Sequence, residues 1–176
     1  MPQPTLEVVQ GDVLPPTRLA EVLALCDRAF HQDLSSLYAA FADRTHVMAI
    51  QDGVVISHAL WITRWLQPQG LPILRTAYVE GVATEEAYRG RGLASAVMRT
   101  LHQRVLDFDL AGLCTGSPGF YARLGWERWT GPLFIRTAEG LISAPDDGVM
   151  VLRLPRTPPL RLDAPMSAEW RVGELW

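Results

Sequence analysis

A strand that gives way to a glycine- and arginine-rich loop, with a helix starting inside that loop, constrains this chain more than any other feature. Thr76-Ala77-Tyr78-Val79-Glu80-Gly81-Val82-Ala83-Thr84 has strand character, and Arg89-Gly90-Arg91-Gly92-Leu93-Ala94 opens the helix. The first turn of a helix carries backbone N–H groups without intrahelical partners and the positive end of the dipole, so such a loop suits an anion of the pyrophosphate type. Two glycines let the backbone approach phosphates closely, and Arg89 and Arg91 add charge where the anion would sit. Leu93, Val97, Leu101 and Val105 then recur every four residues, which predicts a helix with one apolar face running to about Leu110. No Gly-Lys-Ser/Thr closes the loop and the Gly-x-Gly-x-x-Gly spacing is absent, so neither a Walker loop nor a dinucleotide turn is indicated. Gly81, in mid-strand, marks a bulge or a close backbone approach.

The flanking chain reads as one α/β domain spanning residues 1–176. Thr5 to Gln10 alternates as a first strand, and Pro15-Pro16 opens a helix with Leu19, Val22, Leu23, Cys26 and Phe30 on one face. Asp52-Gly53 between Arg44–Gln51 and Val54–Thr63 is a hairpin signal. His46 and His58 lie on these two strands with no metal-ligand spacing around them and read as structural. Trp61 to Pro72 reads as a loop whose tryptophans either cover the core edge or wall a cleft. Gly112 to Thr115 is a short buried strand. Ser117-Pro118 caps a short helix that Gly125 ends. Further strands are expected at Trp126–Trp129, Leu133–Thr137 and Val149–Leu154, and Pro155 to Pro165 reads as an extended tail crossing the surface.

Composition narrows the functional classes. Sixteen Lys+Arg against 19 Asp+Glu give a net charge of −3 and leave no basic stripe for nucleic acid. No apolar run of transmembrane length and no signal pattern occurs, so a cytoplasmic protein without a membrane partner is expected. Cys26 and Cys114 are too few for a disulfide framework and read as core thiols.

The Arg89–Ala94 loop resembles the acetyl-coenzyme A pyrophosphate site of the GCN5-related N-acetyltransferase (GNAT) superfamily, and Tyr121-Ala122-Arg123-Leu124-Gly125-Trp126 resembles that superfamily's second hallmark. With Tyr78–Ala83, Pro145-Asp146-Asp147-Gly148 and the ending Trp170-Arg171-Val172-Gly173-Glu174-Leu175-Trp176, the chain looks like the aminoglycoside 2′-N-acetyltransferases. Three departures stand out: Glu174 replaces the more frequent Asp, the Asp146-Asp147 turn is shorter, and Leu113–Phe120 differs in length and residue type.

The resemblance implies a GNAT fold, a mixed and mostly antiparallel sheet of six to seven strands splayed at a central bulge, with about four helices. It implies acetyl-coenzyme A as co-substrate, no metal, a possible homodimer and a possible role in antibiotic resistance. Val82, Ala83, Thr84, Arg89, Gly90, Arg91, Gly92, Leu93 and Ala94 would hold the cofactor, with backbone N–H groups near Val82 on the thioester oxygen. An amine must lose a proton before it attacks, which points to Glu80 as base, and the departing thiolate needs a donor, which points to Tyr121. Asp33, Glu80, Gly81, Asp146, Asp147, Glu174 and Trp176 would meet a cationic aminosugar. Transfer would be direct. A different small amine as substrate, or an acyl-coenzyme A-binding module without turnover, are the competing readings.

Overall fold

The Asp52-Gly53 turn carries positive φ at both residues, the backbone of a tight two-residue hairpin, and it joins the two longest-range organisers of the N-terminal half. These are β2, Thr45–Gln51, and β3, Val54–Pro68, in the computed structural model, which describes residues 3–145, 148–172 and 176. The chain is α/β, as the resemblance implies. Among the described residues there are four α-helices and ten strands, more strands than the six or seven expected.

Two compact units are formed, residues 1–62 with 79–104, and residues 63–78 with 105–176. In the first, β1 (Thr5–Gln10) pairs antiparallel with β2, which pairs antiparallel with β3. The C-terminal part of β4 (Leu74–Thr84) runs beside β3, where the Glu85 N–H donates to the Ile56 carbonyl. Helix α1 (Pro16–Phe30) buries Val22, Leu25 and Cys26, so the buried face is rotated from the expected one and leaves Phe30 exposed. A short α2 (Ser35–Ala40) follows where the sequence shows no periodicity, and its only fully buried side chain is Tyr38. Helix α3 (Leu93–Arg104) buries Val97, Met98 and Leu101.

That last helix stops six residues before the Leu110 expected from its spacing. Val105 is still buried, but a turn closed by Phe108 N–H on the Val105 carbonyl ends the run. Asp109 then exchanges hydrogen bonds with Arg75: its N–H donates to the Arg75 carbonyl and its carboxylate accepts the Arg75 N–H, each at 2.9 Å. The chain is thereby drawn into β5 (Leu110–Cys114), which pairs parallel to β4 over Thr76–Tyr78 only, whereas β4 continues to Thr84.

In the second unit β5 is followed antiparallel by β9 (Val149–Arg153), which also pairs with β6 (Glu127–Arg128). On the other arm β3 pairs with β10 (Met166–Glu169), β10 runs parallel to β7 (Leu133–Thr137), and β7 forms a hairpin with β8 (Gly140–Ala144). Helix α4 (Pro118–Ala122) is a single short piece. Two expectations are corrected here. The tryptophan-bearing stretch is strand as far as Pro68: Trp61 is buried, and from Ile62 onward burial alternates, with Ile62, Arg64, Leu66 and Pro68 buried and Trp65 exposed. The tail does not merely cross the surface: Arg64, fully buried, donates from Nε to Glu169 Oε1 at 3.2 Å and from its terminal nitrogen to the Glu169 carbonyl at 2.9 Å, fixing β10 between β3 and β7. Among the described residues no helix is long and apolar enough to cross a membrane.

Candidate active site

In the first unit the loop from Arg89 to Gly92 is exposed and leads straight into α3. Gly90 and Gly92 sit at φ +75° and +78°, a region that L side chains avoid, and a Cβ built on either meets nothing within 4 Å. Open space over two glycines at a helix N-terminus fits the close approach of a phosphate. Arg89 donates from Nε to the Thr84 carbonyl at 3.2 Å, and Arg91 donates to the Ala87 carbonyl at 3.0 Å with its guanidinium 5.0 Å from the Tyr88 ring centre. Both are exposed contacts, so either side chain can exchange a carbonyl for a phosphate oxygen at little cost. Val82 is half-buried. The Ala83 carbonyl accepts from Ser57 Oγ at 3.1 Å, and Thr84 Oγ1 lies 2.7 Å from the same hydroxyl. Leu93 and Ala94, half-buried, form the first turn of α3.

Glu80 and Gly81 precede these residues on β4. Gly81 has φ +60°, and a Cβ there would stand 1.9 Å from the Tyr38 hydroxyl and 3.1 Å from Cζ of that ring, so glycine is required on two independent grounds. Beneath it lies a cluster that sequence reasoning did not assemble. His58 Nδ1 is 2.9 Å from the Gly81 carbonyl, His46 Nδ1 is 2.9 Å from His58 Nε2, and Cys26 Sγ is 3.2 Å from the Tyr38 hydroxyl and 3.7 Å from His58 Nδ1. Burial pushes His58 down to about 3, helped by His46. Burial with nearby Arg44 pushes His46 down to about 4. Burial raises the Cys26 thiol to about 11 and holds the Tyr38 phenol well above its ordinary value, with the Cys26 and Glu80 charges adding to the latter.

A family model for an acetyltransferase (GNAT) domain matches residues 14–129. An aminoglycoside 2′-N-acetyltransferase of Mycolicibacterium fortuitum is 33% identical over 138 residues, spanning 74% of this chain and 70% of that relative. The chain belongs to the GNAT acetyltransferases. Its fold is shared with the GNAT family N-acetyltransferase YhbS of Escherichia coli, crystallised in complex with CoA, at a TM-score of 0.66 and 20% identity, covering 96% of this chain and 90% of that one. An acyl-CoA N-acyltransferase from Pseudomonas aeruginosa superposes at 0.61 and 19% identity over 85% of this chain and 99% of that one. Acetyl-coenzyme A is the co-substrate typical of the family, and the loop described above has the open backbone that a pyrophosphate needs.

The second unit of this GNAT protein holds Tyr121, on α4. It is buried, packs edge-on against Phe120 at 4.8 Å and Trp126 at 6.1 Å, and is pushed up to about 12 by burial, so it stays protonated through the neutral and alkaline range. The helix turns back at once: the Tyr121 carbonyl accepts from the N–H groups of Leu124 and Trp126. Trp176 is buried in the same unit, 3% exposed.

Asp33 is exposed, and hydrogen bonds from the Ser35 side chain and from the Ser35 N–H, the latter at 2.8 Å, hold its carboxylate below the usual range and occupy it in starting α2. Asp146, Asp147 and Glu174 lie outside the described residues. Among the described residues no three His, Cys, Asp or Glu side chains are grouped to hold a metal ion.

Two outcomes follow from this geometry. Gly92→Asp places bulk and negative charge over the α3 N-terminus, so calorimetry should show coenzyme A affinity collapsing while the fold survives; undiminished binding would remove the loop from the cofactor site. His46 and His58 titrate near 6.5 when unfolded but near 4 and 3 when folded. A depressed folded value means the unfolded chain binds more protons, so their stabilisation is present above pH 6.5 and is lost as pH falls toward 4, by up to about 1.4 kcal/mol per pH unit for each ring. Melting temperature should therefore drop between pH 6.5 and 4.5, and less steeply in His58→Asn, which lacks one of the two titrating rings.

Proposed function

We propose that this GNAT protein moves the acetyl group of acetyl-coenzyme A directly to an amine of an aminoglycoside-like aminosugar. The observation that carries the reading is the 33% identity, over 138 residues, to an aminoglycoside 2′-N-acetyltransferase. In this reading Glu80 accepts the proton of the substrate ammonium, the freed amine attacks the thioester carbonyl, and the Val82 N–H meets the oxygen on which charge develops. The tetrahedral species then expels the coenzyme A thiolate, which Tyr121 protonates, and the surplus proton of the attacking nitrogen passes to the Tyr121 phenolate, leaving the neutral amide and restoring the phenol. A phenol held at about 12 is present as the donor form throughout the working pH range. Carboxylates of the substrate set, Asp33, Asp146, Asp147 and Glu174, would attract a polycationic sugar and make its binding sensitive to salt. Resistance to such an antibiotic is the corresponding biological role, with the enzyme acting in the cytoplasm as a homodimer.

A thiol-release assay with acetyl-coenzyme A against aminoglycosides, other aminosugars and polyamines tests the substrate class. Turnover confined to polyamines, or to none of the panel, would overturn it. Tyr121→Phe keeps the ring against Trp126 and removes the donor, so kcat should fall by about 10²-fold with coenzyme A affinity unchanged. Wild-type rate in that variant would return Tyr121 to a packing role.

A further inference from the structure

The mechanism leaves unused a fully buried polar pair of the first unit, His46 and His58. Its protonation pattern follows from geometry alone. A carbonyl can only accept, so His58 Nδ1, 2.9 Å from the Gly81 carbonyl, carries the hydrogen. His58 is neutral at ordinary pH, which leaves Nε2 as an acceptor, and His46 Nδ1 at 2.9 Å must therefore donate to it. The two rings thus form a one-way chain of donors that ends on one peptide oxygen. Cys26 Sγ, 3.8 Å from the same carbonyl, adds a weaker contact on that side.

The direction of that oxygen has a consequence along the backbone. The peptide joining Gly81 to Val82 is trans, like every other in the described chain, so its C=O and N–H point in opposite directions. With the oxygen held inward by His58, the Val82 N–H is aimed away from the cluster. At φ +60° Gly81 has no side chain to hold this plane, and glycine backbone is the softest in the chain. The hydrogen bond from His58 is a direct restraint on that plane.

We propose that the buried His46–His58 pair is a positioning device for acyl transfer, fixing the Gly81 carbonyl and thereby aiming the Val82 N–H at the thioester oxygen. The inference rests on the reading of Val82 given above. His58 is the positioning residue, acting through the peptide; His46 fixes the His58 tautomer; and Tyr38, whose hydroxyl fills the space over Gly81, closes the alternative of a side chain at that position. Neither ring touches substrate.

The test reads the thioester without any amine. Acetyl-coenzyme A labelled with carbon-13 at its carbonyl is bound to wild type, His58→Leu and His58→Asn, and the carbonyl stretch is followed by difference infrared spectroscopy. Asn places its amide N–H near the position of His Nδ1 and restores the donor; Leu does not. The stretch should move to lower frequency on binding wild type and His58→Asn and remain at the solution value in His58→Leu, at unchanged coenzyme A affinity. In the transfer assay, kcat of His58→Leu should fall by about tenfold or more and be recovered in His58→Asn. A wild-type spectrum without the shift would overturn the Val82 reading and this inference with it. A shift retained in folded His58→Leu, or lost equally in both variants, would overturn the positioning role alone. Should His58→Leu not fold, His46→Leu against His46→Asn makes the same comparison one ring further back.

Discussion

A single peptide carbonyl, that of Gly81, joins the buried core of the first unit to its working strand. Strand β4 must do two things at once: continue its ladder beside β3 and present main-chain groups to a ligand. A strand paired along both edges cannot, because its groups are consumed by its neighbours, and β4 is paired with β5 only as far as Tyr78. The positive φ at Gly81 turns the backbone there, and His58 Nδ1 lies 2.9 Å from its carbonyl. A carbonyl left without a partner where it is partly buried costs up to about 1–3 kcal/mol, and the imidazole, with Cys26 Sγ as a weaker contact, offsets that cost.

The cofactor loop solves a different problem with exposed parts. Gly90 and Gly92 keep the α3 N-terminus accessible, and the two arginines rest on backbone carbonyls of the residues before them. Neither guanidinium is buried, so neither must be desolvated before it meets an anion. The contrast with Arg64 is instructive. Arg64 is fully buried, bonds Glu169 through side chain and carbonyl, and lies 4.9 Å from the Tyr78 ring centre.

Much of this was legible beforehand because the informative signals are local. The β4–loop–α3 unit, the Asp52-Gly53 hairpin and the Tyr121–Trp126 segment each lie within a few residues of sequence, and each is found where the pattern placed it. What was not legible depends on register and long-range pairing. A plain two-residue hairpin would set His46 opposite Ala59 and put His46 and His58 on opposite faces of the sheet. The register shift between Ala49 and Ile50 sets His46 opposite Leu60 instead and brings the rings onto one face, 2.9 Å apart. No residue type announces that bulge. Strand β10 was missed for a related reason: four residues after a proline-spaced segment carry no pattern, and their pairing with β3 is made across about a hundred residues of chain.

The backbone conformation at Gly81 is the central claim, and the rate of acetyl transfer with an altered residue there tests it most directly. Because a methyl group at Gly81 would strike the Tyr38 hydroxyl, the measurement belongs in a Tyr38→Phe background, with Tyr38→Phe alone as the control. Alanine at φ +60° costs about 1–2 kcal/mol and drives the peptide toward a regular strand. The account predicts a folded double variant that binds coenzyme A like the control and transfers acetyl at least about a hundredfold more slowly. Transfer at the control rate would show that the Gly81 carbonyl and the Val82 N–H have no part in the reaction.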